Sequence, residues 1–136
     1  LLDGDNLRHG LCGDLGFSDA DRDENIRRIS EVAALFEDAG VIALISAISP
    51  FEKMRQFAKS RCKLFLLVHV NTDIEACEKR DPKGLYAKAR HGELTGFTGI
   101  DSPYETPENP DLELNTEEIS VEECADKVLL LIRKTI

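Results

Sequence analysis

Apolar residues follow two rhythms along this chain. Continuous runs at residues 41–45 (VIALI) and 64–70 (LFLLVHV) have the pattern of strands buried on both faces, as in a parallel sheet. Leu1 and Leu2 read as the end of another strand, and residues 112–114 as a short one. Between these runs the spacing turns helical. Residues 5–11 predict a short helix. Ser18 starts a longer one, with three acids near the positive end of the helix dipole, and it runs to Ala39 and stops at Gly40. Pro50 fits the first turn of a helix over 50–61. Residues 73–80 predict another, with Cys77 inward. Ser120 caps a last one, whose inner face is Cys124, Val128, Leu131 and Ile132. Residues 81–111 show no long apolar period and are rich in Gly and Pro.

Strands alternating with helices predict an α/β fold of three layers, α/β/α, around a parallel sheet. At 136 residues the chain suits one domain, 1–136, with 81–111 as a candidate lid. Hydrophobic residues make up 42% and charged residues 32%, which fits a soluble globular protein, and no apolar run is long enough to span a bilayer. The net charge of −9 argues against a nucleic-acid surface, which needs a basic face. A small anion is still open to it, since a few placed arginines override the bulk field locally. Cys12, Cys62, Cys77 and Cys124 form no CxxC pair, so free thiols in a reducing cytoplasm are the natural inference.

In open parallel sheets ligands bind beyond the carboxyl ends of the strands. That rule points to Asp3-Gly4-Asp5, to residues 46–50 and to Asn71-Thr72. Two carboxylates one residue apart can hold a metal ion and take a proton from a hydroxyl; the alternative is a solvated acidic loop. Arg8 lies one helical turn after Asp5, placed for an anion or for a salt bridge to those acids. In the long helix, Ile29, Val32 and Phe36 form an apolar stripe that extends back to Asn25 and Arg22. A charge on such a stripe needs either an internal acid or an anionic ligand.

Phe17 and Phe97 are lone aromatics beside glycines, open to base stacking or to a role as loop anchors. Lys83, Lys88 and Arg90 lie in the irregular segment, where a basic lid could close over phosphates, although solvated surface charge is the plainer reading. Ser49, before Pro50, is an oxyanion-binding hydroxyl or an ordinary helix cap.

These stretches together resemble the adenylyl-sulfate kinase (APS kinase) family. The matching segments are LDGDNLRHGL at 2–11, LGFSDADRDENIRRISEVA at 15–33, ISPF at 48–51, DPKGLYAKAR at 81–90 and GFTGIDSPYE at 96–105. The resemblance implies a P-loop NTPase-like nucleotide kinase fold. It implies transfer of a phosphoryl group from Mg-ATP to the 3′-hydroxyl of adenosine 5′-phosphosulfate (APS), giving 3′-phosphoadenosine 5′-phosphosulfate (PAPS). It further implies Asp5 as base and Asp3 on the Mg2+ side. Arg8, Arg22 and Asn25 would hold the phosphosulfate and ribose, and Phe17 and Phe97 the adenine of APS. Lys83 would contact substrate, Lys88 and Arg90 would belong to the lid on the ATP side, and Ser49 matches a serine that carries phosphate in some members. A homodimer is implied as well. The alternative is a non-catalytic domain that binds APS or PAPS, for example fused to ATP sulfurylase.

One departure stands out. The family's GxxxxGK[ST] loop, whose amides and lysine cradle the ATP phosphates, is not found in these residues. Leu1-Leu2 read as the end of a strand, so the first strand and this loop are expected upstream of residue 1.

Overall fold

The computed structural model describes residues 1–136. The chain forms two compact units, one of residues 1–65 with 103–106, the other of residues 66–102 with 107–136.

In the first unit, β1 (Leu2–Asp3) runs parallel to β2 (Ile45–Ser46), with Leu2 opposite Ile45 and Asp3 opposite Ser46. A short helix α1 (Gly4–Leu7) leaves β1 directly, capped by Asp3, and turns continue it to about residue 14. Gly4 suits that crossing: a Cβ at that position would lie 3.1 Å from the Ser46 carbonyl oxygen, a tight contact that the backbone there would have to relieve by a small shift.

Helix α2 (Asp19–Asp38) begins at the expected residue. The Ser18 hydroxyl accepts the Asp21 N–H and the Asp21 carboxylate accepts the Ser18 N–H, a reciprocal capping box. It ends as expected too. Gly40, at φ +74°, donates to Glu37 O, and Val41 donates to Phe36 O, which together satisfy the last carbonyls in a Schellman arrangement. Ile26, Ile29 and Ala33 of α2 are buried, as is Met54 of α3 (Glu52–Arg61), and α2 and α3 pack on each other.

The stripe on α2 differs from the sequence expectation at its far end. Phe36 is 42% exposed, and burial follows Asn25, Ile26, Ile29, Ser30 and Ala33 instead. Residues 41–44 also differ, since the ladder with β1 starts at Ile45. Val41, Ile42 and Leu44 are exposed, because β2 pairs with β1 alone and few residues cover the run.

In the second unit, β3 (Val68–Val70) runs parallel to β4 (Leu112–Leu114), with His69 opposite Glu113. The strand expected over 64–70 thus narrows to its last three residues. Helix α4 (Ile74–Arg80) follows β3. The segment 81–111 is less irregular than its sequence suggests. It contains α5 (Leu85–Arg90), which starts from Gly84 at φ +65°, with the Asp81 carboxylate accepting the Tyr86 and Ala87 N–H groups. Burial pushes the Asp81 carboxyl upward, but the donated bonds outweigh it and hold the group below the ordinary carboxylate value. Helix α6 (Val121–Thr135) is capped by Ser120 in a second capping box with Glu123. Cys124, Val128, Leu131 and Ile132 are half-buried, the expected inner face. All four cysteines are free thiols. No helix is long and apolar enough to cross a membrane.

Candidate functional site

The parallel ladder carries Asp3 to the carboxyl end of β1. One of its oxygens, Oδ1, accepts the N–H groups of Asp5 and Asn6 at 3.1 Å each, so Asp3 is the N-cap of α1. Oδ2 takes no part in that cap. Asp5 sits in the first turn of α1 and is exposed. Asp3 thus caps the turn in which Asp5 lies.

Arg8 and Arg22 are organised around Phe17. Arg8 donates to the carbonyls of Leu15 (3.3 Å) and Gly16 (2.7 Å), and its guanidinium stacks 4.3 Å from the Phe17 ring centroid. The salt bridge of Arg8 to Asp3 or Asp5, weighed from the sequence, is replaced by these contacts. Arg22 donates from Nε to Phe17 O at 2.9 Å. Two cations thus fix the backbone and ring of one residue that is itself 66% exposed. An apolar ring held in place yet left in solvent suits stacking better than anchoring.

Asn25 lies on the buried stripe, 6% exposed, and its Oδ1 meets no hydrogen-bond partner. Arg27 and Arg28, neighbours on α2, differ in reach. Arg27 pairs with Glu24 on its own helix. Arg28 reaches 14 residues back to Asp14, with bonds of 2.6 and 2.8 Å, and to Leu11 O at 2.9 Å. It ties α2 to the loop that buries Cys12, whose thiol is pushed up by that burial.

Ser49 follows β2 but does not cap α3. The cap residue is Phe51, without a side-chain bond, and the Glu52 N–H is met by the Glu105 carboxylate at 2.5 Å. Glu105 has taken the position that the sequence offers to Ser49.

In the second unit, Lys83 lies in the exposed turn between α4 and α5. Lys88 and Arg90 are helical residues of α5, not loop residues, and Arg90 pairs with Glu78 at 2.5 Å. Phe97 has a partner that its glycine-rich surroundings hide: its ring meets Tyr86 edge-on, centroids 5.0 Å apart. Its N–H and that of Gly96 both donate to the Asp101 carboxylate, at 2.6 and 2.7 Å.

A feature missed from sequence is a cleft of about 540 Å3 beyond the carboxyl ends of β3 and β4. Val70, Leu114, Ile119, Val121 and Cys124 make it largely apolar, with Arg80 and Thr116 at its polar side. The rule of strand carboxyl ends pointed near it, at Asn71-Thr72. Its walls come from Val70 and Arg80 on one side and from residues 114–124 on the other, which no local pattern joins.

Parallel strands joined through helices, with polar residues gathered at the strand ends, place the chain among the P-loop NTPase-like α/β proteins. Within that class it belongs to the adenylylsulphate kinase family, whose model matches residues 1–115. It is 56% identical over 131 residues to the adenylyl-sulfate kinase of Prochlorococcus marinus, covering 95% of this chain and 65% of that protein. It is 52% identical over 136 residues to the adenylyl-sulfate kinase of Marinobacter nauticus, covering 98% of this chain and 68% of that protein. The chain thus spans about two thirds of the length of these curated relatives. Among solved structures, the Mycobacterium tuberculosis APS kinase CysC in complex with AMPPNP and APS superposes with a TM-score of 0.93 at 53% identity, covering 97% of this chain and 78% of that one.

Proposed function

We propose that this protein transfers the γ-phosphoryl group of ATP to the 3′-hydroxyl of APS, giving PAPS. The observation that carries the reading is the Asp3-Gly4-Asp5 turn followed by Arg8, which stacks on the exposed Phe17, in a chain 53% identical to an APS kinase solved with APS bound. Asp5 is the base that accepts the hydroxyl proton. Arg8, Arg22 and Asn25 face the phosphosulfate and ribose. Phe17 and Phe97 each contact the adenine of APS. Lys83 contacts substrate, with Lys88 and Arg90 on the ATP side. The cleft beyond β3 and β4 takes the adenine of ATP, for which its apolar walls and size are suited.

Asp3 is the residue that would hold Mg2+. Magnesium binds through one or two carboxylates, the substrate phosphates and water, so it needs no cage of three protein ligands, and none gathers here. Oδ2 of Asp3, outside the cap, fits that role. When bound, the ion supplies charge neutralisation to the transferring phosphoryl group. The enzyme acts in the cytoplasm as a homodimer.

The experiment is direct. The full-length protein, incubated with Mg-ATP and APS, is expected to yield PAPS and ADP in equal amounts. Tight APS binding without turnover would instead support the non-catalytic reading.

A further inference from the structure

Arg55 is the one cation of the chain whose side chain is buried, at 4% exposure. A guanidinium removed from water is costly unless its donors are met. Here they are met by two stretches of chain, residues 49–52 and Glu105. Nε donates to Glu52 Oε2 at 2.8 Å, Nη1 to Ser49 O at 2.8 Å and Nη2 to Glu105 O at 2.7 Å. Ser49 has a φ of +43°, inside the left-handed region that favours glycine. A residue with a Cβ resists that left-handed region and holds it where the surroundings over-determine it. Glu105 closes the same turn from the other side. Its N–H donates to Pro50 O at 2.8 Å and its carboxylate accepts the Glu52 N–H. Residues 49–52, at the carboxyl end of β2, are therefore clamped at Ser49 O, Pro50 O and Glu52 N.

We propose that Arg55 is a positioning residue: its fork of donors holds Ser49 in the left-handed conformation and so sets the backbone at the end of β2 against which APS is bound. This rests on the proposed APS kinase reading, with Ser49, the candidate oxyanion-binding residue after β2, taken as a contact to the substrate. A lysine cannot reproduce the clamp, since a single ammonium cannot meet separate carbonyls in fixed directions. A glycine at 49 needs no clamp, because it takes positive φ without help.

The test is a double-mutant cycle in the full-length protein with R55K, S49G and R55K/S49G, reading kcat, the KM for each substrate and the melting temperature. R55K is expected to raise the KM for APS by about tenfold with little change in the KM for ATP. In the S49G background the same substitution is expected to cost less than about threefold. An equal loss in both backgrounds, or an unchanged KM for APS in R55K, overturns the proposal. If R55K does not fold, recovery of folding in R55K/S49G supports it. Failure of that double variant to fold reduces Arg55 to a packing residue and overturns it. Absence of APS turnover by the unmodified protein defeats the functional reading instead, and the four melting temperatures still report whether Arg55 and Ser49 are coupled.

Discussion

The Tyr86 and Phe97 rings meet at an interplanar angle of 71°. An edge-to-face pair of this kind contributes about 0.5–1.5 kcal/mol beyond the area it buries. It orients Phe97 while leaving that residue partly open to solvent. Phe97→Ala is therefore expected to weaken APS binding by about 1–3 kcal/mol, the usual worth of a base stacked on an aromatic. Calorimetric titration with APS measures it. An unchanged affinity with a lowered melting temperature would show that Phe97 serves Tyr86 and the loop, not the nucleotide.

Asp3 and Asp5 divide their work, and the division predicts different failures. Asp5 lies exposed in the first turn of α1 and is the proposed base, so Asp5→Asn is expected to lower kcat by about 10²- to 10⁴-fold, the range for a lost general base. The dissociation constant for APS should change little. Asp3→Ala removes an N-cap, which costs about 0.5–2 kcal/mol of stability, in addition to any loss of activity. Steady-state kinetics with thermal melting separates the two. Equal loss of binding and turnover in Asp5→Asn would argue against its role as base.

The cleft beyond β3 and β4 offers a test of the donor side alone. Cys124 is half-buried in its wall. Cys124→Phe fills that space and is expected to raise the KM for ATP by at least about tenfold, a penalty of about 1.4 kcal/mol. The KM for APS should be preserved. A rise in the KM for APS instead would place the acceptor, not ATP, in this cleft.

Much of this architecture is legible in the sequence because its signals are local. Ser18 and Ser120 announce capping boxes, and Gly40 announces the end of α2, through chemistry confined to four or five residues. Periodicity also brings Asn25 to the buried side of α2. What escapes is decided by distant partners. Glu105 caps α3 from 53 residues away, which displaces Ser49 from the role its neighbours suggest. Arg28 looks like a surface charge until Asp14 is folded against it. Tyr86 gives Phe97 a companion that the glycines around it conceal. Apolar runs mislead for a related reason. Residues 41–44 have the composition of a buried strand, but only Ile45 and Ser46 have a ladder partner, in β1.

Glu24 gives a pH dependence with a definite sign. Hydrogen bonds from Arg27 and then Arg28 lower its carboxyl from the ordinary 4.5 to about 2. The folded state thus holds the proton less well than the unfolded chain, and the stabilisation requires the ionised form. It is fully present above the unfolded value and is lost as pH falls from about 4.5 through about 2. Because the pair is exposed to solvent and screened, the effect on stability is modest. Glu24→Gln is expected to lower the melting temperature at pH 7. The difference from the unmodified protein should hold steady down to about pH 5.5 and then narrow as both chains become neutral at position 24. Added salt at pH 7 should shrink it as well. A difference that widens on acidification would mean that Glu24 acts through its shape and its contacts with Arg27 and Arg28 as a neutral group, and not through its charge.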